Sequence, residues 1–204
     1  MAVNLRKGQR VGIDSSIKMA IIGLGWDPNR YDGGFDFDLD VSAFVLGTNG
    51  KVKSDNDFIF YNNMDWNHHT IWLTGDSTDG KDSSDGDDEQ IYIDFAKIPA
   101  DVDKIAIAVT IYDALERRQN FGQVSNAYVR VAKIDSEFDT EGETVIRFDL
   151  EEEFSIETAL VVCEIYRKNG EWKFNAVGSG YEGGLNALCG LYGVQNHNRK
   201  NCPR

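Results

Sequence analysis

Cysteine, proline and histidine are all scarce in this chain, with three of each in 204 residues. Cys163, Cys189 and Cys202 are too few and too scattered for a disulfide framework or a C-x-x-C metal site, so the fold must rest on an ordinary core. Cys163 stands within the apolar run Leu160 to Tyr166 and is expected to be a small core residue in a reducing compartment. His68 and His69 are adjacent and would point to opposite faces of a strand, and His197 is near the end, so no histidine pair or triad presents itself. Long apolar runs are missing too. No stretch reaches the roughly 18–20 residues of a membrane helix, and Met1 to Lys7 has no signal-like apolar segment, which predicts a soluble protein that is not exported. Positive charge is the last shortage: 21 Lys plus Arg against 34 Asp plus Glu leave a formal charge of −13. Such a field repels phosphate backbones and argues against nucleic-acid binding.

What remains is rich in strand signals. Hydrophobic residues make up 41% of the chain and aromatic ones 11%, enough for a full core. Runs of β-branched, aromatic and alternating residues recur at 19–24, 35–46, 58–61, 70–74, 91–95, 105–112, 127–134, 144–150, 159–167 and 172–178. Asn-Gly pairs at Asn49-Gly50 and Asn169-Gly170 join neighbouring runs as hairpin turns do. Helical periodicity is confined to a turn around 114–120 and a stretch from Gly184 to Tyr192. The fold class expected is all-β, a two-sheet sandwich with one or two short helices. A single domain over 1–194 is the simplest organisation, and the polar, mildly basic residues 195–204 are expected to form a mobile tail.

The acids are not evenly spread. Asp36-Phe37-Asp38-Leu39-Asp40-Val41 alternates strictly, so in a strand Phe37, Leu39 and Val41 face the core while Asp36, Asp38 and Asp40 share the other face. Neighbours in that row are roughly 7 Å apart and repel by about 2 kcal/mol at an effective dielectric near 20. A second cluster runs from Gly75 to Glu89 and includes Asp76, Asp79, Asp82, Asp85, Asp87 and Asp88 among Gly and Ser. Calcium takes about six to eight oxygens in adaptable geometry, and such a loop supplies carboxylates, hydroxyls and carbonyls. Asn62 and Asn63 offer further amide oxygens. The EF-hand pattern does not match, so any site must be assembled from separate loops.

Catalytic signals are weak. The Gly-rich pieces at 178–184 lack a Walker lysine, and no nucleophile with an adjacent base is visible, so an enzyme is not expected. The basic spot Arg117-Arg118 is expected to pair with nearby acids rather than bind phosphate.

One series of motifs is more specific than any of these alone. Gly23-Leu24-Gly25-Trp26-Asp27, the stretch Asp36 to Phe44, Phe58 to Asn63, Thr74-Gly75-Asp76, Gly86 to Glu89, Pro99 to Ile105, Phe121 to Val124 and Glu171 to Gly184 occur in order along almost the whole chain. In these the sequence closely resembles the TerD family of tellurite-resistance and stress-response proteins. The resemblance implies a C2-like β-sandwich with two calcium ions near one end. It also implies a cytoplasmic protein, peripheral to the inner face of the membrane, working in membrane-associated assemblies with other Ter-type proteins. Carried over by position, the ligands it implies are Asp38, Asp40, Asp76, Asp87, Asp88 and Glu89, with Asp36, Asn62, Asn63 and Asp85 as secondary candidates. The family's Arg-bearing loop segment reads Gly75-Asp76-Ser77-Thr78-Asp79-Gly80 here, and Tyr112 stands where a histidine usually precedes Asp113. The function expected is a calcium-stabilised interaction module; the alternative is a calcium-dependent binder of a tellurium oxyanion or cyclic nucleotide.

Overall fold

The computed structural model describes residues 2–29, 34–74, 86–150 and 154–195. Among the described residues thirteen strands make two sheets. The first sheet holds β1 (Val3–Leu5), β11 (Glu143–Asp149), β10 (Tyr128–Ile134), β3 (Met19–Gly25), β8 (Glu89–Asp94), β7 (Ile71–Thr74) and β6 (Asp65–Trp66), in that spatial order. The second holds β2 (Arg10–Gly12), β13 (Glu171–Tyr181), β12 (Ala159–Lys168), β9 (Lys104–Ile111), β4 (Leu39–Leu46) and β5 (Phe58–Ile59). All pairings are antiparallel except β1 with β11. Two short helices, α1 (Ala114–Arg117) and α2 (Gly184–Tyr192), fall where the periodicity placed them.

Period-two alternation decides which side chains meet between the sheets. Ile22, Leu24, Val41, Val45, Ile91, Ile93, Ile105, Ile107, Val129, Val131, Val162 and Phe174 fill that layer. The outer face of the second sheet is also apolar, because α2 lies on it: Leu185, Leu188, Cys189 and Tyr192 pack against Phe44, Ala106, Ala108 and Val161. Cys163 is fully buried, as expected of a small core residue, and burial pushes its thiol pKa well up.

Three local expectations are corrected. The strand read from Phe35 begins at Leu39, although Phe37, Leu39 and Val41 do point inward at 2, 2 and 3% exposure. The Asn49-Gly50 turn forms, with Gly47 N–H on the Lys51 carbonyl at 3.0 Å, yet pairing with β4 resumes only at Phe58. The chain between runs through a 3-10 turn at Asp55–Asp57. His68 and His69 are not in a strand: with Asn67 they form a left-handed turn at φ 50, 54 and 55°. That turn is held by Asp65 Oδ1 accepting His69 N–H at 2.7 Å and by Thr70 Oγ1 donating to the Asn67 carbonyl at 2.6 Å. Among the described residues no helix is long and apolar enough to cross a membrane. The tail residues 196–204 and the acidic loop residues 75–85 lie outside the described residues.

Candidate functional site: the acidic end of the sandwich

Strand direction gathers the acids. β3 ends at Gly25 beside the start of β8, β4 starts beside the end of β9, and β12 starts beside Thr110. The segments carrying Asp27, Asp36, Asp38, Asp40, Asp87, Asp88, Glu89, Asp113 and Glu116 therefore meet at one end. Within that end the candidates fall in separate places.

Asp87 lies on the outer face of the first sheet. Its carboxylate takes a two-pronged ion pair from Arg130, Nε to Oδ1 and an Nη to Oδ2, both 2.7 Å. It also accepts from the Tyr128 hydroxyl at 3.1 Å and Gln90 Nε2 at 3.0 Å, and its side chain is fully buried. Asp87 in turn raises the Arg130 pKa, while burial, then Asp87, raises that of Tyr128. The sequence makes room with glycine. A Cβ on Gly23 would sit 2.0 Å from Asp87 Oδ2, and one on Gly25 would sit 2.5 Å from the Tyr128 ring. The Gly23-Leu24-Gly25 motif and the Asp87-Asp88 motif are thus two halves of one interlock. Its sequence signal is two glycines at i and i+2 on one strand face, which marks something lying across the sheet.

Asp88 accepts the Trp26 backbone N–H at 2.9 Å and donates its own N–H to the Leu24 carbonyl at 2.7 Å. Glu89, 5% exposed, has the inward phase of Ile91 and Ile93 and so stands at the mouth between the sheets.

Asp38 and Asp40 belong to the second sheet. Asp40 shares the outward phase of Phe44 and Leu46, and Asp38 meets the Arg117 guanidinium at 3.1 Å with 15% of its side chain exposed. Sheets in a sandwich lie about 10 Å apart, and Asp40 and Asp87 project from opposite outer faces. One ion cannot bridge them. Asn63 is not brought to Asp40 either: its amide donates to the Asn56 and Phe58 carbonyls at 3.2 and 2.6 Å. Phe58 pairs with Phe44, four residues or about 13 Å along β4 from Asp40. Asn62 is exposed at the tip of the turn bridged by Phe60 and Asn63. Asp76 and Asp85 lie outside the described residues.

The residue missed in the sequence is Gln119. Its Nε2 donates to the Phe35 carbonyl at 2.7 Å and more weakly to that of Asp36 at 3.3 Å, fixing the loop that enters the acidic row. Gln119 is 6% exposed, and its Oε1 has no hydrogen-bond donor. A buried, orphaned amide oxygen carries a penalty of about 1–3 kcal/mol unless a donor or cation reaches it. A lone glutamine in a charged turn gives no signal of this in one dimension.

Among the described residues no three His, Cys, Asp or Glu side chains converge closely enough to hold a metal by themselves. The donors present at this end are hard oxygens, and His68 and His69 are at the other end, on the β6–β7 turn. Such a donor set fits calcium, which accepts amide and carbonyl oxygens beside carboxylates, and does not fit zinc.

Beside Asp40, between the end of β9, the residues before β12 and the first turn of α2, lies a pocket of about 410 Å³. Thr110, Thr158 and Asn186 give it polar walls, and Tyr112, Ala114, Ile156 and Leu185 apolar ones.

The sequence and the fold are similar to those of known proteins. Residues 1–192 match the TerD domain. YceE of Bacillus subtilis is 56% identical over 96% of this chain and all of its own length. General stress protein 16U of the same organism is 48% identical, covering 96% of this chain and 99% of its own. The tellurium resistance protein TerD of Serratia marcescens is 49% identical, covering 95% and 98%. A crystal structure of a Streptomyces coelicolor homologue of a telluride resistance protein superposes with a TM-score of 0.61 at 20% identity, over 84% of this chain and 95% of that one, which shows the fold. With the motif series, the two-sheet architecture and full-length relatives in agreement, this chain belongs to the TerD domain family of tellurium-resistance and stress-response proteins.

Proposed function

We propose that this protein is a calcium-binding stress-response protein, not an enzyme, whose acidic end is ordered by metal and serves as an interaction module in a membrane-associated assembly. The observation that carries the reading is the buried Gln119 Oε1, which has no donor and sits in a segment fixed to the Phe35 and Asp36 carbonyls. Its neighbours in the chain's acidic row are themselves acceptors, so a cation or its bound water is the partner that satisfies it. Gln119, a carboxylate from the row of Asp36, Asp38 and Asp40, and water would hold one ion. Asp88 and Glu89, on the other sheet, belong to a second. Bound calcium would offset the mutual repulsion of each group. Asp87, saturated by Arg130, Tyr128 and Gln90, supports the scaffold rather than the metal.

The names of relatives favour a protective role: one is a general stress protein, another a tellurium resistance protein, and a third, 53% identical over 70% of this chain, a chemical-damaging agent resistance protein of Clostridium acetobutylicum. Direct capture of an oxyanion is disfavoured by the pocket beside Asp40, which Asp113, Glu116 and Glu182 also line and which, among the described residues, no Lys or Arg lines.

The test is a thermal melt of chelator-stripped protein with added calcium or magnesium, paired with calorimetric titration. Binding to the folded state alone stabilises it by about 2.7 kcal/mol at a hundredfold excess over the dissociation constant. Calcium is expected to raise the midpoint of the native chain and to leave the Asp38→Asn/Asp88→Asn variant unmoved. An unchanged native midpoint with no heat of binding sinks the metal reading.

A further inference from the structure

The pocket beside Asp40 combines features that ordinary surface does not. Its inner wall is apolar, built by Leu185 and Ala114, both buried. Its rim carries apolar side chains left in water: Leu115 is 89% exposed, Ile156 59% and Tyr112 37%. The four carboxylates of Asp40, Asp113, Glu116 and Glu182 surround it, with no cationic side chain among the described lining residues. Arg117, the nearest base in sequence, is turned to Asp38 and to the Tyr112 and Phe35 rings. Leu115 is held outward by α1, a single turn flanked by the left-handed residues Asp113 and Arg118 at φ 48 and 54°. Such conformations cost non-glycine residues free energy, so the projection is imposed by the surrounding structure. The first turn of α2 faces the same pocket. Thr158 Oγ1 accepts the Gly184 N–H at 3.0 Å, Gly183 supplies no side-chain cap, and the next helix N–H groups have no acceptor within the helix.

An occupant must therefore offer positive charge to the carboxylates, an apolar group to Leu115 and Ile156, and carbonyl oxygens to the helix start. A free metal ion offers only the first and an acyl chain only the second. We propose that this pocket docks a basic, partly apolar protein segment, receiving a lysine ammonium among Asp113, Glu116 and Glu182 and covering Leu115 and Ile156 with an adjacent leucine-like side chain. The net charge of −13 steers such a segment towards the protein, as an electrostatic contribution to the on-rate. The proposal builds on the interaction-module reading and supplies the partner's chemistry.

The experiment is an NMR titration of the ¹⁵N-labelled full chain, in calcium and in chelator, with a blocked hexapeptide of alternating leucine and lysine. The same peptide with glutamate for lysine, hexamethylenediamine, and phosphatidylglycerol vesicles are the comparison arms. The lysine peptide is expected to give saturable shifts at the amides of Thr110, Ile156 and Leu185. Leu115→Ser should weaken it about tenfold, the loss of one buried leucine contact. Glu182→Gln should weaken it by about two- to fivefold, the value of one rim charge. Both side chains are exposed, so both variants should melt like the native chain and keep its response to calcium. No shift at those amides, equal binding of the glutamate peptide, or a diamine that binds as tightly as the peptide overturns the proposal. Vesicle binding that depends on Leu115, without peptide binding, also overturns it and assigns the patch to membrane. Peptide binding intact in a chain that calcium does not stabilise refutes the metal reading and leaves the docking site standing.

Discussion

Asp87 and Asp38 look alike in the sequence, each an aspartate in a dense acidic motif, and the fold treats them differently. Around Asp87 the first sheet provides a guanidinium, a phenol and an amide, and glycine opens the sheet surface so that the carboxylate can lie flat upon it. In the second sheet Asp38 meets Arg117, Asp40 lines an open pocket, and Gln119, hydrogen-bonded to the loop that leads to them, has an oxygen with no donor. One carboxylate is locked flat onto a sheet face; the others stand at the acidic end, beside the pocket. Acidic motifs therefore do not announce their role. The cations and dipoles folded against them do.

The sharpest way to break this contrast is Arg130→Met. Removing one partner of a buried pair leaves Asp87 uncompensated, and the expected loss is about 3–5 kcal/mol in urea unfolding, the same with and without calcium. If calcium restored the stability, Asp87 would be a metal ligand and the two regions would be one. A smaller loss is expected of Gly23→Ala, whose new methyl falls on the Asp87 carboxylate. Overpacking of this kind costs about 1–3 kcal/mol. Gly12→Ala, on a strand face with nothing within 4 Å, should stay within about 0.5 kcal/mol and serves as the control. A loss no larger at Gly23 than at Gly12 would show that the interlock does not constrain the sheet. The gentlest change is Arg117→Gln, which removes the native cation competing for Asp38. Calcium affinity in calorimetry should rise a few-fold, equivalent to about 0.5–1 kcal/mol for a partly exposed pair. An affinity that is unchanged or lower would take Asp38 out of the ligand set.

Most of the sandwich was legible because strand alternation is local. Phe37, Leu39 and Val41 are buried as their spacing requires, and Asn169-Gly170 turns the β12–β13 hairpin with both residues at positive φ. The short strands Val3–Leu5, Arg10–Gly12 and Asp65–Trp66 escaped notice because two or three residues carry no periodicity, and exposed edges need none. The site was less legible. That acids gather at one end follows from strand directions once the runs are found, whereas the Asp87–Arg130 pair joins residues 43 positions apart through the register of β8, β3 and β10. Neither residue carries a sign of the other. Gln119 was invisible for the same reason, since its burial and its carbonyl partners 83 and 84 positions away exist only in three dimensions. Left-handed Asn67, His68 and His69 defeated the strand reading because a hydrogen-bonded turn overrode their phase.

The first two strands have a further consequence, for the order of events during synthesis. β1 joins one sheet beside β11 and β2 joins the other beside β13, so the first dozen residues bridge the two layers. Their partners, residues 146–148 and 173–175, come at least 143 residues later in the chain. A chain emerging from the ribosome therefore carries this segment unpaired while at least 143 further residues follow it, and the two layers are joined at that edge only once β13 has been made.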